Sequence, residues 1–399
     1  MYFETAKETA ERLQLNVRTI QKWAKEGRIH GAKRMGKSWM IPKSFEGVNS
    51  QRRTVSIMMP LLNSRFEAGH CLETIEKIEN PDLQAIACGE YYYFSGQPEK
   101  AIDTVEPYLQ HEDTGLAVSA NIIYSFAAVA LGTIGQRIYL KGNVDEIVQP
   151  NIDRILKEDQ DGIFAAGLSL CKHIGQVLMQ ISVHEDPIRE RLYVLPEGFR
   201  FFGVYVMAYD AYLKGLYRRA LGIVEAGLGL MADNYPVARV FLLLIQAASE
   251  ASLRRMDDAK HTLFTAWDLA KKDGFVEPFA YHYTLLHGVV EVVLKKEDPE
   301  GFENIVKAAT RFKKGWEFYH QKAVDKMLAD MLTTTELSVA MLYAKGWSVK
   351  EIAGHMENSD RMVKHHLTVT YEKLGISSRD ELRIYIMPEY TGADAELTE

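Results

Sequence analysis

The segment spanning residues 332–386 constrains the chain more tightly than any other, because it carries helix-start chemistry four times in succession and helix-stop glycines twice. Thr333 has Glu336 three residues on, the spacing of a capping box, and predicts a first helix that ends at Gly346. Ser348 starts a second helix with Ile352 and Ala353 turned inward. Ser359 starts a third that runs to Leu374 and stops at Gly375. Ser377 or Ser378 starts a fourth, with Leu382, Ile384 and Ile386 as its apolar positions. The second and third helices meet at a tight turn around Glu357 and Asn358, and the third is long and basic on one side, which is the pattern of a helix-turn-helix. Val363 and Leu367 would pack the third helix on its neighbours. Asp360, Arg361, Lys364, His365 and Thr368 would face outward, placed to enter a major groove. The alternative is a helical bundle that only packs.

These residues resemble the LuxR/GerE-type DNA-binding domain. The likeness is carried by Leu332-Thr333, Glu336, Gly346, Lys350-Glu351-Ile352-Ala353, Ser359, Val363-Lys364, His366, Lys373-Leu374-Gly375 and Ser378-Arg379. The family pattern is broken at Thr335, Met362, Val369 and Thr370. The resemblance implies dimerisation through the fourth helix and a role in transcriptional control. It adds Lys350, Ser359 and Lys373 to the outward residues as candidate DNA-binding positions.

Charge is unevenly spread. The net charge of the chain is -7, which argues against a general nucleic-acid coat. Residues 1–53 carry a net +7, residues 54–331 a net -10 and residues 332–399 a net -4, much of the last in an acidic tail at 387–399. A basic start beside an acidic middle is the asymmetry expected when only part of a chain meets phosphates.

That basic start has its own signature. Thr5, with Glu8 three residues on, caps a helix through Leu13, and Asn16 caps a second over 17–26 that Gly27 ends. Ile20 and Trp23 face inward with Leu13. Arg18, Thr19, Gln21, Lys22 and Lys25 are left for the outer face, where such side chains reach base edges. Two extended pieces, 28–30 and 38–41, are joined by the basic turn 31–37, making a wing whose Lys33, Arg34 and Lys37 suit phosphates or a minor groove. The segment resembles the winged helix of excisionases and MerR-type regulators. The carrying residues are 5–10, 18–23, Glu26-Gly27-Arg28-Ile29 and Trp39-Met40-Ile41-Pro42. The alternative is a small cap without DNA contact. Residues 31–38 also match the phosphate-loop pattern G-x-x-x-x-G-K-[ST]. A true phosphate loop needs an apolar strand before it and a helix after it, whereas here a strand broken by proline follows.

Residues 46–63 form a connection, and residues 64–331 show helical periodicity throughout. Small residues recur: Gly89, Tyr92, Gly96 and Ala101 share their offsets with Ala208, Ala211, Gly215 and Ala220, and Ala247 and Ala259 repeat the outer pair. An amphipathic helix follows each (101–110, 220–231, 259–270). The segment resembles a tetratricopeptide-type solenoid, which implies a concave groove. Three aromatic clusters, 91–94, 199–212 and 279–283, either pack in its core or line that groove, where they could hold a small-molecule or peptide effector. The uncharged run 116–135 is long enough to span a bilayer but reads as a buried helix, so no membrane is expected. Three scattered cysteines indicate buried thiols in a reducing cytoplasm rather than disulfides or zinc. No catalytic constellation, cofactor motif or acidic-pocket phosphoacceptor domain appears.

The expectation is therefore a mainly α-helical, cytoplasmic, non-enzymatic regulator. It would have a winged helix over 1–45, a tetratricopeptide-like α-solenoid over 64–331 and a four-helix LuxR-type domain over 332–386, acting on double-stranded DNA as a homodimer. The competing expectation is a protein-interaction scaffold whose terminal modules bind partner proteins.

Overall fold

A computed structural model describes residues 3–12, 16–25, 32–36, 38–42, 58–131, 163–179, 191–231, 234–286, 288–319 and 332–386. The chain divides into two compact units, residues 1–56 and residues 57–399.

In the first unit, strand β1 (Phe3–Thr5) runs into helix α1 (Ala6–Arg12), followed by α2 (Val17–Lys25), β2 (Lys33–Met35) and β3 (Ser38–Pro42). Thr5 caps α1 as its spacing requires. The Glu8 amide donates to Thr5 Oγ1 (3.2 Å), and the Thr5 amide donates to Glu8 Oε2 (2.6 Å). Asn16 Oδ1 accepts from the Arg18 amide at 2.9 Å at the start of α2. Ala6, Ala10, Ile20, Ala24 and Ile41 form the core. Leu13, the Trp23 side chain, the 28–30 strand and Lys37 lie outside the described residues.

Two differences from expectation concern the wing. The sheet has three antiparallel strands in the order β1-β3-β2, because Phe3–Thr5 pairs with Met40–Pro42; three residues before a cap give no alternation pattern from which to read a strand. Lys33 and Arg34 stand on strand β2, not in a turn, since Met35 pairs with Ser38 and the hairpin reverses at Gly36, whose φ is +60°. The same register puts strand β2 inside the phosphate-loop match and starts strand β3 at its last residue, so no helix N-terminus follows it to meet a phosphate.

The second unit is helical throughout its described residues: α3 (Cys71–Glu76), α4 (Pro81–Phe94), α5 (Pro98–Val105), α6 (Thr114–Leu131), α7 (Ile163–Leu178), α8 (Glu197–Leu213), α9 (Tyr217–Leu230), α10 (Pro236–Ser252), α11 (Met256–Ala270), α12 (Glu277–His282), α13 (Val289–Glu297), α14 (Pro299–Tyr319), α15 (Thr334–Ala344), α16 (Val349–His355), α17 (Asp360–Leu374) and α18 (Arg379–Ile386). Helices α4/α5, α8/α9 and α10/α11 pack as hairpins. Each of the three second helices starts three residues before the small residue that marked it.

One turn closes the first helix of each hairpin. Gly96 and Gln97 donate to the carbonyls of Tyr93 and Tyr92, Gly215 and Leu216 to those of Tyr212 and Ala211, and Arg254 and Arg255 to those of Ala251 and Glu250. Gly96 and Gly215 take the left-handed conformation at φ +73°, while Arg254 takes it at +61° with a full side chain. At Gly89 the helices cross so closely that a Cβ would lie 2.4 Å from Val105 Cγ1.

The aromatic clusters meet one another in the core. Phe94 contacts Phe241 at 5.9 Å between ring centroids, Tyr209 contacts Tyr281 at 5.8 Å, and Tyr205 Oη lies 3.0 Å from His282 Nε2. The helical array also closes on itself. The Val276 amide donates to the Phe94 carbonyl (2.9 Å), and Arg311 Nε, from α14, donates to the Ala130 carbonyl (2.8 Å). Helix α6 is long and apolar enough to cross a membrane, and 72% of it is buried inside the protein. Residues 58–62, expected as part of a connection, belong to the core instead. Leu61 and Leu62 are buried, and their amides donate to the buried carboxylate of Glu90 at 2.8 and 3.0 Å.

Candidate nucleic-acid interface

In the second unit, α15–α18 are built by the caps that the sequence shows. Thr333 and Glu336 close a capping box, as do Ser348 and Glu351. Ser359 Oγ accepts from the Met362 amide (3.2 Å), Ser378 Oγ accepts from the Glu381 amide (3.1 Å), and Gly375 ends α17 at φ +66°. The turn between α16 and α17 is closed by the Asn358 amide donating to the Ala353 carbonyl (2.9 Å), with Glu357 in the left-handed region at φ +50°. Val363, Leu367 and Leu374 are buried against Leu342, Trp347, Ile352 and Leu382. The side chains of Ile384 and Ile386 lie outside the described residues.

This core fixes what α17 presents. Arg361, Lys364, His365 and Thr368 are all exposed, and their spacing of three, four and seven residues puts them on one face of the helix. Asp360 is exposed in the first turn, and Lys350 is exposed in the first turn of α16. Ser359 is occupied as a cap. Thr368 Oγ1 donates back to the Lys364 carbonyl at 3.0 Å, leaving its lone pairs outward. Lys373 stands apart: its Nζ meets Glu336 Oε2 at 2.6 Å, tying the end of α17 to the start of α15. Burial raises the Glu336 carboxyl, but the Lys373 amine and the Thr333 cap hold it below its ordinary value.

Several structural residues in this region were not identified by spacing. Arg379 donates from Nε to the Tyr343 carbonyl (2.7 Å) and from Nη2 to the Trp347 carbonyl (3.1 Å), and it lies over the Tyr343 ring at 4.3 Å. It thereby locks α18 onto the end of α15. Against the helical array, Glu291 is a buried hub: Tyr283 Oη and Ser338 Oγ both donate to it at 2.6 Å. A single carboxylate inside the run Val289–Leu294 was the sequence signal for this hub. Two ion pairs, Arg254–Glu351 and Lys296–Glu357, hold the two ends of α16 to the array. All four of these side chains are substantially exposed, so the pairs are screened by salt. Of the three described non-glycine residues with positive φ, Met59, Arg254 and Glu357, the last two belong to these pairs.

In the first unit, α2 exposes Arg18, Gln21, Lys22 and Lys25, with Thr19 half-buried, and β2 exposes Lys33 and Arg34. Helix and wing thus both present basic side chains. Among the described residues no His, Cys, Asp and Glu cluster has metal-site geometry.

Comparison with known proteins agrees with this geometry. Residues 330–386 match the family described as bacterial regulatory proteins, luxR family, and residues 5–44 match a helix-turn-helix domain. The chain is 29% identical over 116 residues to the response regulator protein VraR from two strains of Staphylococcus epidermidis, RP62A and ATCC 12228. That match covers 28% of this chain and 51% of each relative, so the chain spans about half the length of the curated relatives it matches. No solved structure matches it.

Proposed function

We propose that this protein is a sequence-specific DNA-binding transcription regulator, not an enzyme. The observation that carries the reading is the α17 face, where Arg361, Lys364, His365 and Thr368 stand exposed together on a helix braced by a buried core. Arginine and lysine there can donate to guanine edges or phosphates, and His365 and Thr368 extend the same face. Asp360 and Lys350 flank it. Ser359 and Lys373 act by positioning α17. In the first unit Arg18, Thr19, Gln21, Lys22 and Lys25 form the helical reader, and Lys33, Arg34 and Lys37 the wing.

The test is footprinting of the purified chain on genomic fragments at two salt concentrations. A discrete protected site, with affinity falling steeply as salt rises, is the expected result, because phosphate contacts release counterions. Salt-independent association with proteins, and no protected DNA, would favour the interaction-scaffold reading instead.

Residues 1–45 and 332–386 are the DNA-binding modules, and 64–331 is the helical-repeat region that senses an effector and sets dimer geometry in the cytoplasm. Two readers on one chain also suit bridging of two DNA sites. Removing residues 1–45 is then expected to abolish two-site complexes while leaving binding to a single site; two-site complexes that persist would refute bridging.

A further inference from the structure

A cleft of about 390 Å³ opens where the helical array meets α15 and α18. Its walls come from both sides of that junction. Arg254 and Ser252 arrive from the end of α10, Lys345 from the turn after α15, and Arg379, Asp380 and Arg383 from α18. Three guanidinium groups and the Lys345 amine thus face one space with Asp380 as the carboxylate lining it. Arg254 already has a carboxylate partner in Glu351. Arg379 bonds to two carbonyls and makes no ion pair among the described residues. The exposed Arg383 makes no ion pair among them either. The cleft therefore keeps an excess of positive charge.

Behind the lining residues, the buried Tyr212 holds two of them by hydrogen bonds. Tyr212 Oη receives Lys345 Nζ at 3.1 Å and Ser252 Oγ at 3.2 Å, and it lies 3.4 Å from the Leu285 carbonyl. Lys345 sits over the Tyr212 ring at 5.5 Å. Burial pulls the lysine's pKa down to about 7, a cost that a neighbouring anion would offset. A rigid guanidinium already anchored to carbonyls, with a second guanidinium and an amine nearby, is an arrangement that matches the oxygens of a phosphate group. The volume is that of a small-molecule site.

We propose that this cleft binds a small phosphate-bearing molecule, held by Arg254, Lys345, Arg379 and Arg383, and that its occupation strengthens the junction between the helical array and the α15–α18 module. The regulatory half of this statement rests on the DNA-binding reading above; the binding half does not. An occupant bridging Arg254 to Arg383 would bind the docked arrangement more tightly than a released one, and so shift the population toward it.

The test uses the full-length chain without DNA. Titration calorimetry with inorganic pyrophosphate is expected to show saturable binding. Arg383→Ala removes a side chain that makes no described structural contact, and is expected to weaken binding at least about tenfold with no change in the far-ultraviolet circular dichroism. Lys307→Ala, at an unrelated surface cleft, should leave binding unchanged. Equal affinity in the wild type and Arg383→Ala, or no saturable heat, would overturn the proposal. A second arm separates a small molecule from the phosphates of DNA. If pyrophosphate does not bind, but Arg383→Ala weakens DNA binding, the cleft contacts the DNA backbone and the proposal is wrong. A failure of DNA binding alongside intact pyrophosphate binding would instead count against the regulator reading alone.

Discussion

On α17, neighbouring basic residues have different roles, and the distinction is open to measurement. Arg361 and Lys364 are exposed on the shared outer face, so truncating either should leave the fold intact. Each substitution to alanine is expected to weaken DNA binding by about 1–3 kcal/mol while leaving the thermal unfolding midpoint unchanged. Unaltered affinity in both would mean that α17 is not the reader. Lys373 should behave oppositely. Its partner Glu336 is buried at the start of α15 while Lys373 is itself partly exposed, so Lys373→Ala strands a buried carboxylate. The expected cost is about 1–2 kcal/mol of stability in chemical denaturation, between the limits for exposed and buried pairs. The caps at Thr333, Ser348 and Ser359 were legible because a cap is written within four residues. The Lys373–Glu336 pair was not, because its partners are brought together only by the packing of two helices.

Among elements, the recurring helix-to-helix turn shows how far a sequence pattern carries. Gly96 and Gly215 announced it, since glycine adopts the left-handed conformation without steric cost. Arg254 and Glu357 occupy the same conformation unannounced, because nothing in an arginine or glutamate signals a positive φ. The difference between backbone and packing roles can be measured in two glycines. A Cβ at Gly215 meets nothing within 4 Å, so Gly215→Ala tests the left-handed turn alone and is expected to cost about 1 kcal/mol. At Gly89 the backbone is ordinary helix, but a Cβ would press on Val105 at 2.4 Å. Gly89→Ala is therefore expected to cost about 1–3 kcal/mol through displaced packing, despite alanine's better helix propensity. Urea denaturation of the two variants separates these cases. A stabilised Gly89→Ala would mean that α4 and α5 do not cross as closely as described.

At the scale of the second unit, the repeated small residues revealed the hairpins but not the closure that joins α4 and α6 to α12 and α14. Closure depends on contacts such as Val276 to Phe94, between residues far apart in the chain, and no local spacing encodes them. The same burial makes the fold pH-sensitive. Glu90 is wholly enclosed, and burial pushes its carboxyl up to about 8 in spite of the two amides it accepts. An unfolded chain releases that proton near the ordinary value of 4.5, so between there and about 8 only the folded state holds it. The contribution is full below the unfolded value and is lost as the pH rises through the folded one. Glu277, raised to about 7 by burial against the counteracting Arg311, acts in the same direction. His282, pulled down to about 4 by burial, acts oppositely between there and 6.5, where the unfolded chain binds the proton and stability climbs with pH. Wild-type behaviour sums these with other shifted groups, Lys345, Glu291 and Glu336 among them, so the informative quantity is the difference between wild type and Glu90→Gln. The amide keeps an acceptor for one of the Leu61 and Leu62 donors and cannot ionise. The variant is expected to be less stable at about pH 5 and to narrow that gap steadily toward about pH 8, at a slope of up to roughly 1.4 kcal/mol per pH unit. Parallel stability curves across that window would show that Glu90 keeps an ordinary carboxylate pKa, and that residues 58–62 are not sealed over it in the way the core describes.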